Sequence, residues 1–580
     1  MTVSENYKRW LELATDDADI TAELQEIDGK ENEIYERFYR ELEFGTAGLR
    51  GVIGAGDNRM NIYTIRKATQ GLAEYLNSRY PAPCVAIGYD SRIKSDVFAK
   101  ETARVLAGNG IAVKLFAELV PVPVLSFAVK HLVCQAGVMV TASHNPAIYN
   151  GYKCYGADGY QMTDDDAATV TECIRRLDMF TDIRLADFDT AVADGRITLV
   201  DDVVMGTYLN CVTAQQINAG VCRDSDIHVI YSPLNGAGNK PVRAVLERIG
   251  LLGVSVVPEQ ELPDGNFPTA PFPNPELRET FNLALEMAKD NPADLLLATD
   301  PDCDRVGIAV REGDEYTLLT GNETGCLLLN YILSCRAEQG TLPENPVVIK
   351  TIVTSNLAAR IAEKYGCELR NVLTGFKYIG EQIVELEKAE TPERFLFGFE
   401  ESYGCLVGTH ARDKDAVVAS MLICEMTAYY ASKGLNLCQV LNALYEEHGV
   451  YRHRLVNVQF EGAEGMAAME KLMAKLRKKP PVELAGLKVL AVADYLSSER
   501  TGADGCQVID LPKSNVLTFE LENHAEVIVR PSGTEPKVKG YVTATGNTIA
   551  EADAVIAELL AVTEKLIKGS PCRKRTCKKK

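Results

Sequence analysis

Short apolar runs alternate with longer amphipathic stretches through most of the chain. Residues 84–88, 111–116, 136–140, 227–231, 253–257, 293–298, 347–353 and 395–399 read as strands. Residues 61–80, 94–109, 240–249, 277–290 and 416–433 read as helices. Residues 5–43, rich in Glu, Leu and Lys, are expected to be helical, and 163–204 is an acid-rich stretch of helical and short connecting segments. Strand–helix alternation of this kind predicts an α/β fold, with mainly parallel sheets covered by helices. Residues 261–275 hold five prolines and no periodicity, so they read as a loop. The last block differs: strands at 452–460 and 487–493, and helices at 465–478 and 549–567.

The polar residues that interrupt this pattern cluster where strands end, and in open α/β sheets that rim is where ligands bind. After 136–140 comes Thr141-Ala142-Ser143-His144-Asn145-Pro146. Pro146 fixes its own φ and keeps Asn145 out of the helical region, so the turn is stiff enough to present the Ser143 hydroxyl. Lys153 follows ten residues after Ser143, near enough to line the same pocket. After 293–298 comes Thr299-Asp300-Pro301-Asp302-Cys303-Asp304-Arg305. Three carboxylates at alternating positions form a hard oxygen cage for a divalent cation, and three ligands that leave coordination sites open suit Mg²⁺, which keeps waters or takes phosphate oxygens. A solvated acidic turn is the alternative. The loop lacks the glycine and glutamate spacing of an EF-hand.

Four more stretches carry candidate chemistry. Phe44-Gly45-Thr46-Ala47-Gly48-Leu49-Arg50-Gly51 offers backbone N–H groups and a guanidinium suited to an anion. Thr374-Gly375-Phe376-Lys377 opens a helix, and Glu400-Glu401-Ser402 ends a strand with groups able to read sugar hydroxyls. Arg530-Pro531-Ser532-Gly533-Thr534 with Lys537 makes a compact phosphate cradle, or else a basic hairpin.

At 580 residues the chain is too long for one core and should divide into about three to five domains. A net charge of −20 argues against a nucleic-acid binder, so any phosphate site must be locally basic. Sixteen scattered cysteines read as free thiols in a reducing compartment. The polar N-terminus does not read as a signal peptide, and no apolar run reaches membrane-spanning length, so a cytoplasmic protein without a membrane partner is expected. The basic tail 569–580 is expected to be disordered.

Taken together and in order, FGTAGLRG, TASHNP, DPDCDR, GFEES and RPSGTEP resemble the α-D-phosphohexomutase superfamily, over residues 5–567. The SPLNGAGNKP, TGFKYIGE and FGFEESYG variants resemble its phosphoglucomutase 2-type branch. The resemblance implies a heart-shaped four-domain architecture: three similar α/β mixed-sheet domains and a C-terminal TATA-box-binding-protein-like α+β domain. The boundaries expected are 1–210, 211–324, 325–450 and 451–568.

By resemblance, Ser143 is the phosphoserine, and Asp300, Asp302 and Asp304 hold Mg²⁺ together with a phosphate oxygen on Ser143. Glu400 and Ser402 read the sugar, and Thr374 and Lys377 lie in the selectivity turn. Arg530, Ser532, Gly533 and Thr534 clamp the non-reacting phosphate. Thr46, Arg50, His144, Lys153, Arg305 and Lys414 match positions near the reacting phosphoryl group, with Arg50 and Lys153 as the electrostatic and proton-handling pair. Asn235, where many relatives carry His, is a departure expected to be harmless.

The activity implied is interconversion of glucose 1-phosphate and glucose 6-phosphate, with glucose 1,6-bisphosphate as intermediate and activator. Phosphomannomutase, phosphopentomutase and glucose-1,6-bisphosphate synthase are the rival specificities. The partners implied are sugar phosphates, and the assembly implied is a monomer or weak homodimer. Phosphoserine must be shielded from water, which requires the fourth domain to close over the cleft. A serine phosphatase and a non-catalytic sugar-phosphate sensor are the readings outside this class.

Overall fold

The computed structural model describes residues 1–45, 48–460, 465–532 and 537–568. Thr46, Gly533, Thr534 and the tail 569–580 therefore lie outside the described residues. The chain forms two compact units. One holds Met1–Lys350, Gly366–Arg370 and Gly375–Cys438; the other holds Thr351–Tyr365, Asn371–Thr374 and the described residues from Gln439 onward.

The first unit opens with three helices, Val3–Leu13, Ala18–Glu26 and Glu31–Phe38, packed around the buried Trp10. A six-stranded sheet follows, in the order Gly48–Val52, Tyr149–Gly156, Ala136–Val140, Cys84–Tyr89, Ala112–Phe116, Ile197–Val200. Four strands run parallel, as the strand–helix alternation predicts. Tyr149–Gly156 and Gly48–Val52 add antiparallel. The Ser143 turn is short enough to send the chain straight back beside the strand it left, which a helix crossover cannot do.

A second sheet orders Glu315–Leu319, Val306–Glu312, Leu295–Thr299, Val229–Ser232, Val254–Val256. The hairpin of its first two strands follows the acidic loop directly. The sequence reading did not contain it, nor the edge strand Ile197–Val200. In a sheet of four strands, Val347–Thr351 runs parallel to Phe395–Phe399, which takes Cys405–Leu406 antiparallel. Helix Ala416–Ala431 is buried on nearly every side, so its sequence shows no apolar stripe. Asp415 caps its first turn by accepting from the Val417 and Val418 N–H groups.

In the other unit, an antiparallel sheet runs Val450–Gln459, Lys537–Gly546, Glu526–Pro531, Leu517–Leu521, Leu487–Asp494, Glu499–Gly502, Gly505–Val508. Helices Gly465–Lys478 and Ile549–Lys568 bury Met469, Met473, Ile556 and Leu559 against it. This is a further C-terminal α+β sheet domain. Among the described residues, no helix is long and apolar enough to cross a membrane.

Candidate active site

Strand Ala136–Val140 delivers Ser143 to the sheet rim in the left-handed region, at φ 51°. That conformation costs a non-glycine residue roughly 1–2 kcal/mol, so the surroundings must impose it. Two residues from the end of the neighbouring strand, Cys84–Tyr89, do so. Thr141 Oγ1 donates to Asp90 Oδ2 at 2.6 Å and accepts the Ser143 N–H at 2.9 Å. The buried Arg92 guanidinium donates to the carbonyls of Ser143 and Asn145 and, at 3.0 Å each, to those of Pro146 and Tyr149. One side chain thus satisfies four carbonyls of the turn.

The Ser143 Oγ donates to Asp300 Oδ2 at 2.7 Å and lies 3.1 Å from His144 Nδ1. Asp300 in turn accepts the Asp304 and Arg305 N–H groups, both at 3.0 Å, on its other oxygen. Its loop is tied to three separate parts of the chain. The Val122 N–H donates to the Asp302 carbonyl at 2.9 Å, that of Ala237 to Pro301 at 2.8 Å, and that of Ala416 to Cys303 at 3.2 Å. Gly236 permits this approach, since a Cβ there would lie 2.5 Å from the Pro301 Cα.

Asp300, Asp302 and Asp304 are all buried, and each offers a carboxylate oxygen within 4.8 Å of the other two. Burial, then the neighbouring charges of Asp302 and Asp304, push the Asp300 carboxyl well above its usual range. Asp302 Oδ1 and Asp304 Oδ1 are buried without hydrogen-bond partners. A buried carboxylate oxygen left unpaired is costly. Three hard oxygen donors with two uncommitted oxygens fit a metal cation.

Cations surround the triad. Lys153 Nζ is 2.8 Å from Asp302 Oδ2, and Lys414 Nζ is 2.9 Å from Asp304 Oδ2 and 3.0 Å from Asp413 Oδ1. Burial works against both lysine charges, but the facing carboxylates win and raise both amines. Arg305 pairs with Glu276 at 2.7 Å. Burial, then Arg305 and Arg50, hold the His144 imidazole well below its usual range. The arrangement can hold a dense anion against a metal beside a hydroxyl nucleophile, which is the equipment of phosphoryl transfer.

The comparisons with known proteins agree with that chemistry. Family models described as phosphoglucomutase/phosphomannomutase alpha/beta/alpha domains I, II and III match residues 41–180, 206–313 and 320–448. The chain is 38% identical over 509 residues to a phosphoglucomutase of Staphylococcus haemolyticus (strain JCSC1435), covering 87% of this chain and 91% of that one. It belongs to the phosphoglucomutase/phosphomannomutase family.

A phosphoglucomutase of Staphylococcus aureus (strain USA300) is 37% identical over 539 residues, 92% of this chain and 94% of that one. The open form of the Paramecium exocytosis-sensitive phosphoprotein pp63/parafusin shares the fold, with TM-score 0.67 and 17% identity over 91% of this chain and 96% of that one. The fold class expected from the sequence, three α/β domains followed by a further sheet domain, is the fold of this family.

Of the predicted site residues, Ser143, His144, Lys153, Asp300, Asp302, Asp304, Arg305 and Lys414 come together around one centre. Arg50 reaches the turn through Asn145 Oδ1, at 3.4 Å. Glu400 is buried and accepts the Gly375 N–H at 2.9 Å, with its carboxyl raised by burial. Lys377 pairs with Asp164 at 2.6 Å, and Ser402 is half-buried in the turn after Glu400. Thr374, Arg530 and Ser532 belong to the other unit; the Thr374 hydroxyl is buried without a hydrogen-bond partner, and Arg530 sits near the end of strand Glu526–Pro531. The amide of Asn235 donates to the Glu259 and Leu262 carbonyls and so holds a loop.

Sequence reasoning missed Asp90, Arg92 and Asp413. Tyr89-Asp90-Ser91-Arg92 ends a strand just as the Ser143 stretch does, and that position was the available signal. Asp413 takes hydrogen bonds from the Tyr155 hydroxyl at 2.7 Å and its own neighbour Lys414, so it orients the lysine.

Proposed function

We propose that this protein is an α-phosphoglucomutase that interconverts glucose 1-phosphate and glucose 6-phosphate through a phosphoserine at Ser143. The observation that carries the reading is the Ser143 Oγ at 2.7 Å from Asp300 within the buried, cation-lined triad. The glucose specificity draws its support from the family relatives that bear the phosphoglucomutase name.

In this reading the bond from Ser143 Oγ to phosphorus breaks as the free hydroxyl of a sugar monophosphate bonds to it. The product is glucose 1,6-bisphosphate. That intermediate reorients, and its other phosphoryl group returns to Ser143. Lys153, Lys414 and Arg305 neutralise charge on the moving group, and Arg92 holds the turn so that Oγ keeps its aim. The sugar hydroxyl loses its proton as it bonds to phosphorus, and the released Ser143 Oγ takes one up. Arg50 and Lys153 are assigned to proton handling on the family pattern, and His144 Nδ1 lies 3.1 Å from Oγ. Asp300, Asp302 and Asp304, with an oxygen on Ser143, would hold Mg²⁺, which when bound supplies further charge neutralisation. Glu400, Ser402, Thr374 and Lys377 are assigned to the sugar, and Arg530 and Ser532 to the non-reacting phosphate, on the family pattern.

The test is a coupled assay of the purified chain with Mg²⁺, a trace of glucose 1,6-bisphosphate and a panel of sugar 1-phosphates. Glucose 1-phosphate should give the highest kcat/KM. Ser143→Ala should lower turnover by roughly 10⁴-fold or more, the scale for losing a nucleophile. A higher kcat/KM for mannose or pentose 1-phosphate would move the specificity within the family. Release of free phosphate as fast as isomer would replace the mutase reading with a phosphatase.

A further inference from the structure

The same two strands that carry the Ser143 turn and its Arg92 support hold a thiol pair at their opposite ends. Cys84 opens Cys84–Tyr89, and Cys134 lies just before Ala136–Val140. These strands are parallel neighbours, with Val85 facing Ala136. The two sulfurs are 3.6 Å apart, with the Cys134 thiol donating to Cys84 Sγ. A disulfide needs about 2.05 Å, so closure asks for an approach of roughly 1.5 Å.

The backbone around the pair is fixed. The Gln135 N–H donates to the Cys84 carbonyl at 2.8 Å, and the Cys84 N–H to Gln135 Oε1 at 2.8 Å. The Cys134 N–H donates to the Val129 carbonyl at 2.8 Å. The two thiols therefore stay adjacent.

They are not equivalent. Cys134 is buried and Cys84 is half-buried. Val133, just before Cys134, is 75% exposed and takes φ 56°, so the chain surfaces at this point. The hydrogen bond from Cys134 outweighs burial and, with the Lys114 charge, draws the Cys84 thiol down to about 7. The same contact pushes Cys134 up. A half-buried sulfur with thiolate character beside a buried protonated one is the division of labour between an attacking and a resolving thiol.

We propose that Cys84 and Cys134 form a redox-modification site that glutathione disulfide oxidises reversibly to an intramolecular disulfide, with Cys84 attacking and Cys134 resolving. The Cys84 thiolate bonds to one sulfur of glutathione disulfide, whose S–S bond breaks and releases one glutathione thiolate. Cys134 then loses its proton and attacks the Cys84 sulfur, expelling the second glutathione. Two protein thiols are oxidised and one glutathione disulfide is reduced to two glutathiones.

The test uses the full reduced chain, exposed to glutathione disulfide, acid-quenched, digested without reduction and mapped by mass spectrometry. A peptide linking Cys84 to Cys134 should form, with loss of both thiols, and dithiothreitol should restore them. Cys134→Ser should leave glutathione bound at Cys84, and Cys84→Ser should leave Cys134 reduced. The wild-type linkage measurement stands whether or not either variant folds. Glutathione on the exposed Cys506 with no 84–134 linkage would overturn the proposal. So would glutathione persisting on Cys84 of the wild-type chain, or faster alkylation of Cys134 than of Cys84.

Discussion

Gly404 makes room for the stem of Lys414. A Cβ at position 404 would lie 2.0 Å from the Lys414 Cδ and 2.6 Å from its Cγ. The lysine passes this glycine and ends 2.9 Å from Asp304 Oδ2. Gly404→Ala must therefore displace Lys414. We expect kcat to fall roughly 10²-fold, the scale for misplacing a catalytic group by about 1 Å. Stability should fall by about 1–3 kcal/mol from overpacking. Steady-state kinetics and urea unfolding check both, and an unchanged kcat would show that Lys414 has another route to the triad.

Arg92→Ala removes the donor for four carbonyls and leaves the buried Asp90 without its guanidinium partner at 3.5 Å. Breaking a buried pair on one side costs about 3–5 kcal/mol. We expect the midpoint of chemical denaturation to drop accordingly and activity to be lost even where the variant is folded. Arg92→Lys should rescue stability in part and activity less, because one ammonium cannot reach four acceptors in a plane.

Chelation should silence the protein, and Mg²⁺ should restore it. Asp302→Asn and Asp304→Asn each remove a charge from the triad while keeping its shape. For each variant, the Mg²⁺ concentration for half-activation should rise by more than the roughly 10–100-fold that loss of an outer-shell partner costs. Titrating activity against Mg²⁺ measures this; an unshifted midpoint in both variants would remove the triad from metal binding.

Glu425 is buried within helix Ala416–Ala431, and burial raises its carboxyl above the usual value of 4.5. Its Oε1 accepts from the Ile217 and Asn218 N–H groups and the Tyr331 hydroxyl, while Oε2 has no hydrogen-bond partner. The folded state therefore holds this proton more tightly than the unfolded state. The resulting stability is complete below about pH 4.5 and is lost as pH rises through the folded value. Glu425→Gln keeps the accepting oxygen and never ionises. Its Tm relative to wild type should be close at low pH and climb as pH rises toward neutrality. A Tm difference that does not change with pH would show that Glu425 titrates as it does in the unfolded chain.

The candidate site at the strand ends was legible because its side chains lie close together in the chain. Ser143 with His144, and Asp300 with Asp302 and Asp304, are near neighbours in the chain. The strands that deliver them are short apolar runs with little alternative. Lys153 was legible because only a short reversal separates it from Ser143; its strand pairs Met139 with Lys153.

By itself, then, the sequence determined the family, the order of strands and helices in the α/β blocks, the serine and the acidic triplet. The edge strands Glu315–Leu319 and Ile197–Val200 needed a neighbouring sheet, since edge strands draw their pattern from the surface they join. The tertiary structure alone decided that Arg92 supports Ser143, that Gly404 lets Lys414 pass to Asp304, and that Cys84 meets Cys134. Those partners are 51, 10 and 50 residues apart. A side chain's role is set by which groups packing brings within a few ångströms, and no local pattern encodes that distance.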